Sequence, residues 1–224
     1  MRRCSSAMLE CHISALHVVD PEGADNAALR DRLKANFPPG ASRRMTLLGM
    51  MIGSALGGTR VEQIDALVYS SEFGESASLE NYLRSFPAAS PTLFQTSIHP
   101  SAVQQVLIQR QKPVRQLVPL AGGPELVLQS ALAAMTSPAD EVVWCGGDEC
   151  GSWLRAAGAV ADRSFAFALV LRKQPTANSL GRLQLTPGEG NGRIPLADWF
   201  ECLRDRRFWR GSVGTGWQLG IEWV

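Results

Sequence analysis

The chain has 224 residues, enough for one domain with an appendage, and a single core of that size buries about 70% of the unfolded surface without staples. It is 45% hydrophobic and 19% charged, which excludes general disorder, and its net charge of +1 excludes nucleic-acid binding driven by bulk electrostatics. The five cysteines (Cys4, Cys11, Cys145, Cys150, Cys202) are an odd set in a chain that is not short, which argues against a secreted disulfide framework. The close pair Cys145 and Cys150 supplies two thiolates at most, and the three histidines lie far off in sequence, so no metal is expected. Arg2-Arg3 looks like a targeting start, but Glu10, His12 and His17 follow where an apolar run is needed. The longest apolar stretch, Met45 to Leu56, is short of the roughly 20 residues that span a bilayer. A cytoplasmic protein without membrane contact is the expectation.

In chain order, Met8 to Val19 reads as a strand and Asn26 to Asn36 as a short polar helix. Phe37-Pro-Pro-Gly40 is a loop, after which Ser42 is placed to cap a helix over Arg43 to Leu56. Gly49, Gly53 and Gly57 fall four apart on that helix, a stripe that makes sense against a neighbouring backbone. Asp65 to Ser70 is a strand entering the polar stretch Ser71 to Ser78, Leu79 to Phe86 is a helix, and Pro91 to Ser97 is a connecting loop. Ala102 to Gln111 has helical spacing, and Val114 to Leu120 is a strand. Gly122-Gly123-Pro124 is a sharp turn into the very apolar helix Leu126 to Met135. Strands follow at Glu141 to Cys145 and Phe165 to Leu171. Gln174 to Arg193 is loop or linker. The tail from Ile194 opens with a helix over PLADWFECLRD, then runs through an Arg–aromatic stretch to a Gly-rich, Trp-bearing end. Alternating strands and helices give a layered α/β fold, divided into residues 1–173 and a small extension, 174–224.

A tight strand–turn–helix such as Leu117 to Met135 is where α/β enzymes hold a nucleophile, because helix N–H groups favour a thiolate and an oxyanion. Here the turn is Ala121-Gly122-Gly123-Pro124, with no Cys, Ser or Thr. Elsewhere, Glu72 and Glu75 in a polar turn read as solvated acids. His99, before Pro100, reads as a hydrogen-bonding histidine at an interface. A hydrolase would have to draw on Ser71, Ser76 or Ser78 with His99. The last 26 residues hold Trp199, Trp209, Trp217 and Trp223, expected in packing or subunit contact.

The run Ser90-Pro-Thr-Leu-Phe-Gln-Thr-Ser-Ile-His-Pro-Ser-Ala102, then Lys112-Pro113, then Ala121-Gly122-Gly123 before an Ala/Leu-rich helix, resembles the amino-terminal half of a β-ketoacyl synthase. Arg43-Arg44-Met45, Tyr69 to Glu75, Asp140 to Val143, Ala168 to Leu171 and Pro195 to Trp199 extend the likeness across most of the chain. It is most similar to the short chain-length-factor-type subunits that accompany a ketosynthase in aryl polyene and xanthomonadin-like pigment pathways. That resemblance implies half of a thiolase-like fold, an αβα layering with a small carboxy-terminal extension. It places Gly122 where active relatives carry their cysteine, and it lacks the half that supplies two basic residues. It therefore implies a non-catalytic partner of an active β-ketoacyl synthase, without a cofactor. Leu117, Val118 and Leu120 would pair across the two-fold, while Phe94, Ile98, His99 and Val103 would shape the partner's acyl tunnel. Half of a layered fold is also expected to leave an apolar face uncovered. Arg204, Arg206, Arg207 and Arg210, beside Phe208 and Trp209, would receive an acidic acyl carrier protein. The alternatives are the serine hydrolase and a stand-alone acyl-binding scaffold.

Overall fold

The computed structural model describes residues 8–21, 23, 25–111 and 113–224. The readings at Arg2, Arg3, Cys4 and Lys112 lie outside them.

The described residues form one mixed eight-stranded sheet in the order β3-β2-β4-β5-β1-β6-β8-β7. Its strands are β1 (Leu9–Val19), β2 (Ala66–Ser71), β3 (Gln116–Ala121), β4 (Glu141–Asp148), β5 (Phe165–Arg172), β6 (Gly181–Pro187), β7 (Trp209–Gly214) and β8 (Trp217–Trp223). β2 runs parallel to β3 and to β4; every other pair is antiparallel. Continuous apolar runs such as β5, FAFALVLR, mark strands covered on both faces. Along β5 the large residues Phe165, Phe167, Leu169 and Leu171 face one core, while Ala166, Ala168 and Val170 face the other.

The small-residue face of β5 receives α2 (Leu47–Gly58), flanked by α1 (Asn26–Lys34) and α5 (Ser101–Arg110). A Cβ on Gly49 would stand 2.7 Å from Gln105 Oε1 and one on Gly53 2.8 Å from the Phe37 ring, so two members of the glycine stripe do admit a neighbour closely; Gly57 meets nothing within 4 Å. The helix starts later than expected. Ser42–Arg44 is a 3-10 turn whose end is held by Arg30, which donates to Ser42 O and Met45 O. Thr46 then caps α2, its Oγ1 accepting from Gly49 N at 3.0 Å.

The opposite face carries α6 (Leu126–Thr136) and α7 (Leu196–Arg204). Trp144 of β4 lies fully buried there, stacked on Trp199 of α7 at 5.5 Å between centroids. Its indole N–H donates to Ser70 Oγ at 2.8 Å, and Ser70 pairs with Ser130 of α6 at 2.6 Å. Two further segments differ from expectation. Pro91–Thr96 is a short helix, α4, because Ser90 accepts from Leu93 N and Pro91 occupies the first helical position. Within the expected linker lies β6, where Leu183 and Leu185 alternate inward and pair with both β1 and β8. The 173/174 boundary thus falls between two strands that both flank β1 in one sheet. The remaining helix, α3 (Ser76–Arg84), closes the carboxyl end of β2.

Candidate subunit interface and elbow

Three strand ends converge at the turn that enters α6. β3 stops at Ala121, and Gly122 (φ +67°) and Gly123 (φ +83°) make the bend in a conformation that L side chains rarely adopt. Gly122 N donates to Ser71 O, at the end of β2, at 3.0 Å. At the end of β4, the buried carboxylate of Asp148 accepts from Ser71 Oγ at 2.6 Å and from Phe73 N at 3.1 Å. Burial lifts Asp148 to about 7 despite those two bonds, and Glu72 nearby pushes in the same upward direction. The elbow itself carries no side chain. Cys145 is fully buried inside β4, where desolvation drives its thiol far above the ordinary range.

Glu75 is not solvated, contrary to the sequence reading. It is buried, accepts from Ala102 N at 3.0 Å in the first turn of α5, and holds His99 Nδ1 at 2.9 Å. Pro100 offers no side-chain cap to α5, so a carboxylate from α3's threshold satisfies its free N–H group. The His99 ring stacks on Tyr69 at 5.2 Å, and His99 Nε2 and Tyr69 Oη have no hydrogen-bond partner among the described residues. The serines considered for a hydrolase are engaged elsewhere: Ser71 with Asp148, Ser76 with Phe73 O, while Ser78 is buried. Sequence reasoning gave Asp148 no role and met Tyr69 only as part of the resemblance, since their importance comes from burial at strand ends.

β3 is the last strand on its side of the sheet and bonds only to β2 among the described residues. Leu117 leans on one core, Val118 and Leu120 on the other, and all three remain partly exposed. Phe94 and Ile98 are each 50% exposed; with Leu79, Leu83 and Phe86 they leave the α3–α4 surface apolar, ordered around Tyr82, whose ring lies 5.4 Å from both Phe86 and Phe94. Val103 is separate from them, fully buried on the side of α5 that packs against α2. The apolar side of α6, by contrast, is covered by α7 and by the β7–β8 hairpin, whose Thr215 N donates to Glu125 at 3.1 Å.

At the far end, Arg204 bonds Asp20 at 2.8 Å and Asp205 at 2.7 Å. Arg207 lies 3.7 Å from Glu201 and 3.6 Å from Asp205. Arg163 closes the ring, between Asp20 at 3.5 Å and Glu201 at 2.8 Å. Arg206 lies over the Trp223 ring, and Phe208 and Arg210 are exposed. Two of the four tail arginines therefore serve an internal ion-pair network. Among the described residues no group of three or more His, Cys, Asp and Glu is placed to hold a metal, and no helix is long and apolar enough to cross a membrane.

No family profile matches the chain, and no curated protein matches it. Among solved structures it is similar to the ketosynthase ApeO in complex with its chain length factor ApeC from Xenorhabdus doucetiae: 19% identity over 96% of this chain and 99% of the matched one, with a TM-score of 0.68. A 3-oxoacyl-(acyl-carrier protein) synthase from Burkholderia xenovorans aligns at 15% identity over 84% of this chain and 55% of that one, TM-score 0.41. The ketosynthase from module 6 of the bacillaene synthase of Bacillus subtilis aligns at 12% over 88% and 45%, TM-score 0.49. The match at a TM-score of 0.68 shows the fold, which is thiolase-like, of the ketosynthase type. Nearly all of this chain corresponds to nearly all of a chain from the ketosynthase–chain length factor complex.

Proposed function

We propose that the chain is a non-catalytic partner subunit that pairs with an active β-ketoacyl synthase and shapes its acyl tunnel in polyene or polyketide assembly. The observation that carries this reading is the elbow: a ketosynthase-type bend holding Gly122 and no nucleophile, beside a free strand edge. A Claisen condensation needs a thiolate to carry the acyl chain, so bond formation falls to the partner. Pairing runs along β3, through Leu117, Val118 and Leu120. The exposed Phe94 and Ile98, with His99 held by Glu75, approach the partner's pocket; Val103, fully buried against α2, is not part of that surface. Growing acyl chains are apolar, which suits that surface.

Arg206 and Arg210, with Arg204 and Arg207 beside them, present positive charge for an acidic carrier protein. Alanine replacement of all four weakens carrier binding most at low salt; unchanged binding removes this element. The pairing itself is tested by co-expression with the ketosynthase of the same organism and affinity capture through a tag on this chain. A one-to-one complex, and products whose length changes when this chain is left out, support the reading. A chain that stays monomeric and leaves the ketosynthase in the flow-through overturns it.

A further inference from the structure

We propose that Pro119 makes the free edge of β3 a poor template for a second copy of this chain and so favours a partner strand that bears an N–H at the facing position. The inference rests on the β3 pairing read above and adds what decides between self and partner.

The backbone geometry fixes which residues face outward. Gln116 N donates to Asp65 O and Gly122 N to Ser71 O, both at 3.0 Å. Along a strand the N–H and C=O of one residue point the same way and alternate from residue to residue. The even-numbered residues of β3 thus bond to β2, and Leu117, Pro119 and Ala121 turn their backbone groups to the open edge. Leu117 and Ala121 offer a donor and an acceptor each. Pro119, at the centre of the row and exposed, offers only an acceptor. It costs the β2 ladder nothing, because its nitrogen faces away.

The opposite edge of the sheet is not an equivalent template. β7 is bulged between Ser212 and Gly214, and Gly192 N bonds Ser212 Oγ at 2.9 Å, so a loop crosses it.

In a two-fold antiparallel pairing the outward rows face each other and exchange N–H···O bonds. Each copy brings its own Pro119, so self-pairing lacks two of those bonds in every symmetric register. Against a strand without proline in the row, one bond is lacking. A net contribution of about 1 kcal/mol per bond corresponds to a factor of roughly five in affinity. Self-pairing is therefore weakened about 25-fold and mixed pairing about five-fold, a discrimination against the unwanted complex rather than an added attraction to the wanted one.

The test is P119A, with sedimentation equilibrium on the chain alone and titration against the ketosynthase of the same organism. Restoring the N–H is expected to tighten self-association by about the square of the factor by which it tightens mixed pairing. Equal factors, or no change in self-association, overturn the inference. L117P removes another outward donor without entering the β2 ladder; if it fails to fold by circular dichroism, A121P takes its place. Loss of ketosynthase affinity in that variant keeps the β3 pairing standing whatever P119A does. Full affinity there shows that the pairing reading has failed, and this inference with it.

Discussion

Asp148 gives the sharpest quantitative expectation. Its carboxylate is buried at the end of β4, with Ser71 Oγ and Phe73 N on Oδ1, Glu72 nearby and the fully buried Tyr69 on the adjacent strand. Folding raises it from the ordinary 3.8 to about 7. Between those values the folded chain binds a proton that the unfolded chain releases, so this group's contribution to stability falls as pH rises. At about 1.4 kcal/mol per pH unit, a shift of about three units corresponds to about 4 kcal/mol, of which about 3 kcal/mol is lost between pH 5 and pH 8. In D148N the amide oxygen still accepts both hydrogen bonds and never ionises. Urea unfolding of both proteins at pH 5 and pH 8 measures the difference. The wild type should lose about 3 kcal/mol more than D148N over that interval. Glu149, also raised to about 7 by burial, has the same sign but is common to both proteins and cancels. Parallel stability curves would refute the assignment of Asp148 as a buried, desolvated acid.

Further outcomes follow from packing. G57A should stabilise by about 0.5–1 kcal/mol, since a Cβ there meets nothing within 4 Å and helix propensity improves, whereas G53A, 2.8 Å from the Phe37 ring, should destabilise by about 1–3 kcal/mol; paired thermal melts read the opposite signs. E75A strands Ala102 N and the His99 ring and should cost about 2–3 kcal/mol, while E75Q, whose amide oxygen still accepts from Ala102 N and whose amide N–H can donate to His99 Nδ1 in the Nε2–H tautomer, should cost about 1 kcal/mol in the same denaturation assay. Removing Ser130 Oγ in S130A leaves Ser70 with Trp144 as its partner and should cost about 1 kcal/mol, with a changed tryptophan emission as the local readout.

Much of the layering was legible because buried strands announce themselves. ALVYSS and FAFALVLR admit little else, and the Leu126 helix follows a Gly-Gly-Pro turn that cannot continue a strand. The readings that failed did so where one residue type serves two structures. Ser90-Pro91 signals a turn as readily as a helix start, and in α4 it is the latter. In β6 the inward Leu183 and Leu185 are too few to stand out among Gly, Pro and Asn, and only pairing with β1 and β8 makes them a strand. Ser42 and Thr46 are both able caps; the Arg30 bonds to Ser42 O and Met45 O accompany the later start. At the elbow, the missing nucleophile was plain from Gly122 itself. The carboxylates were not: Glu75 and Asp148 look like surface acids until the fold buries one against α5 and the other beneath the β2–α3 turn. Burial is a property of distant segments meeting, which local spacing does not encode.

The most direct measurement of the central claim is an acyl-extension assay on an acyl carrier protein, followed by intact-protein mass spectrometry. Three samples suffice: this chain alone, the chain with its ketosynthase, and the chain with a ketosynthase whose own cysteine is replaced by alanine. Extension is expected in the second sample only. Extension by the purified chain alone would contradict the account of Gly122 as an elbow without chemistry.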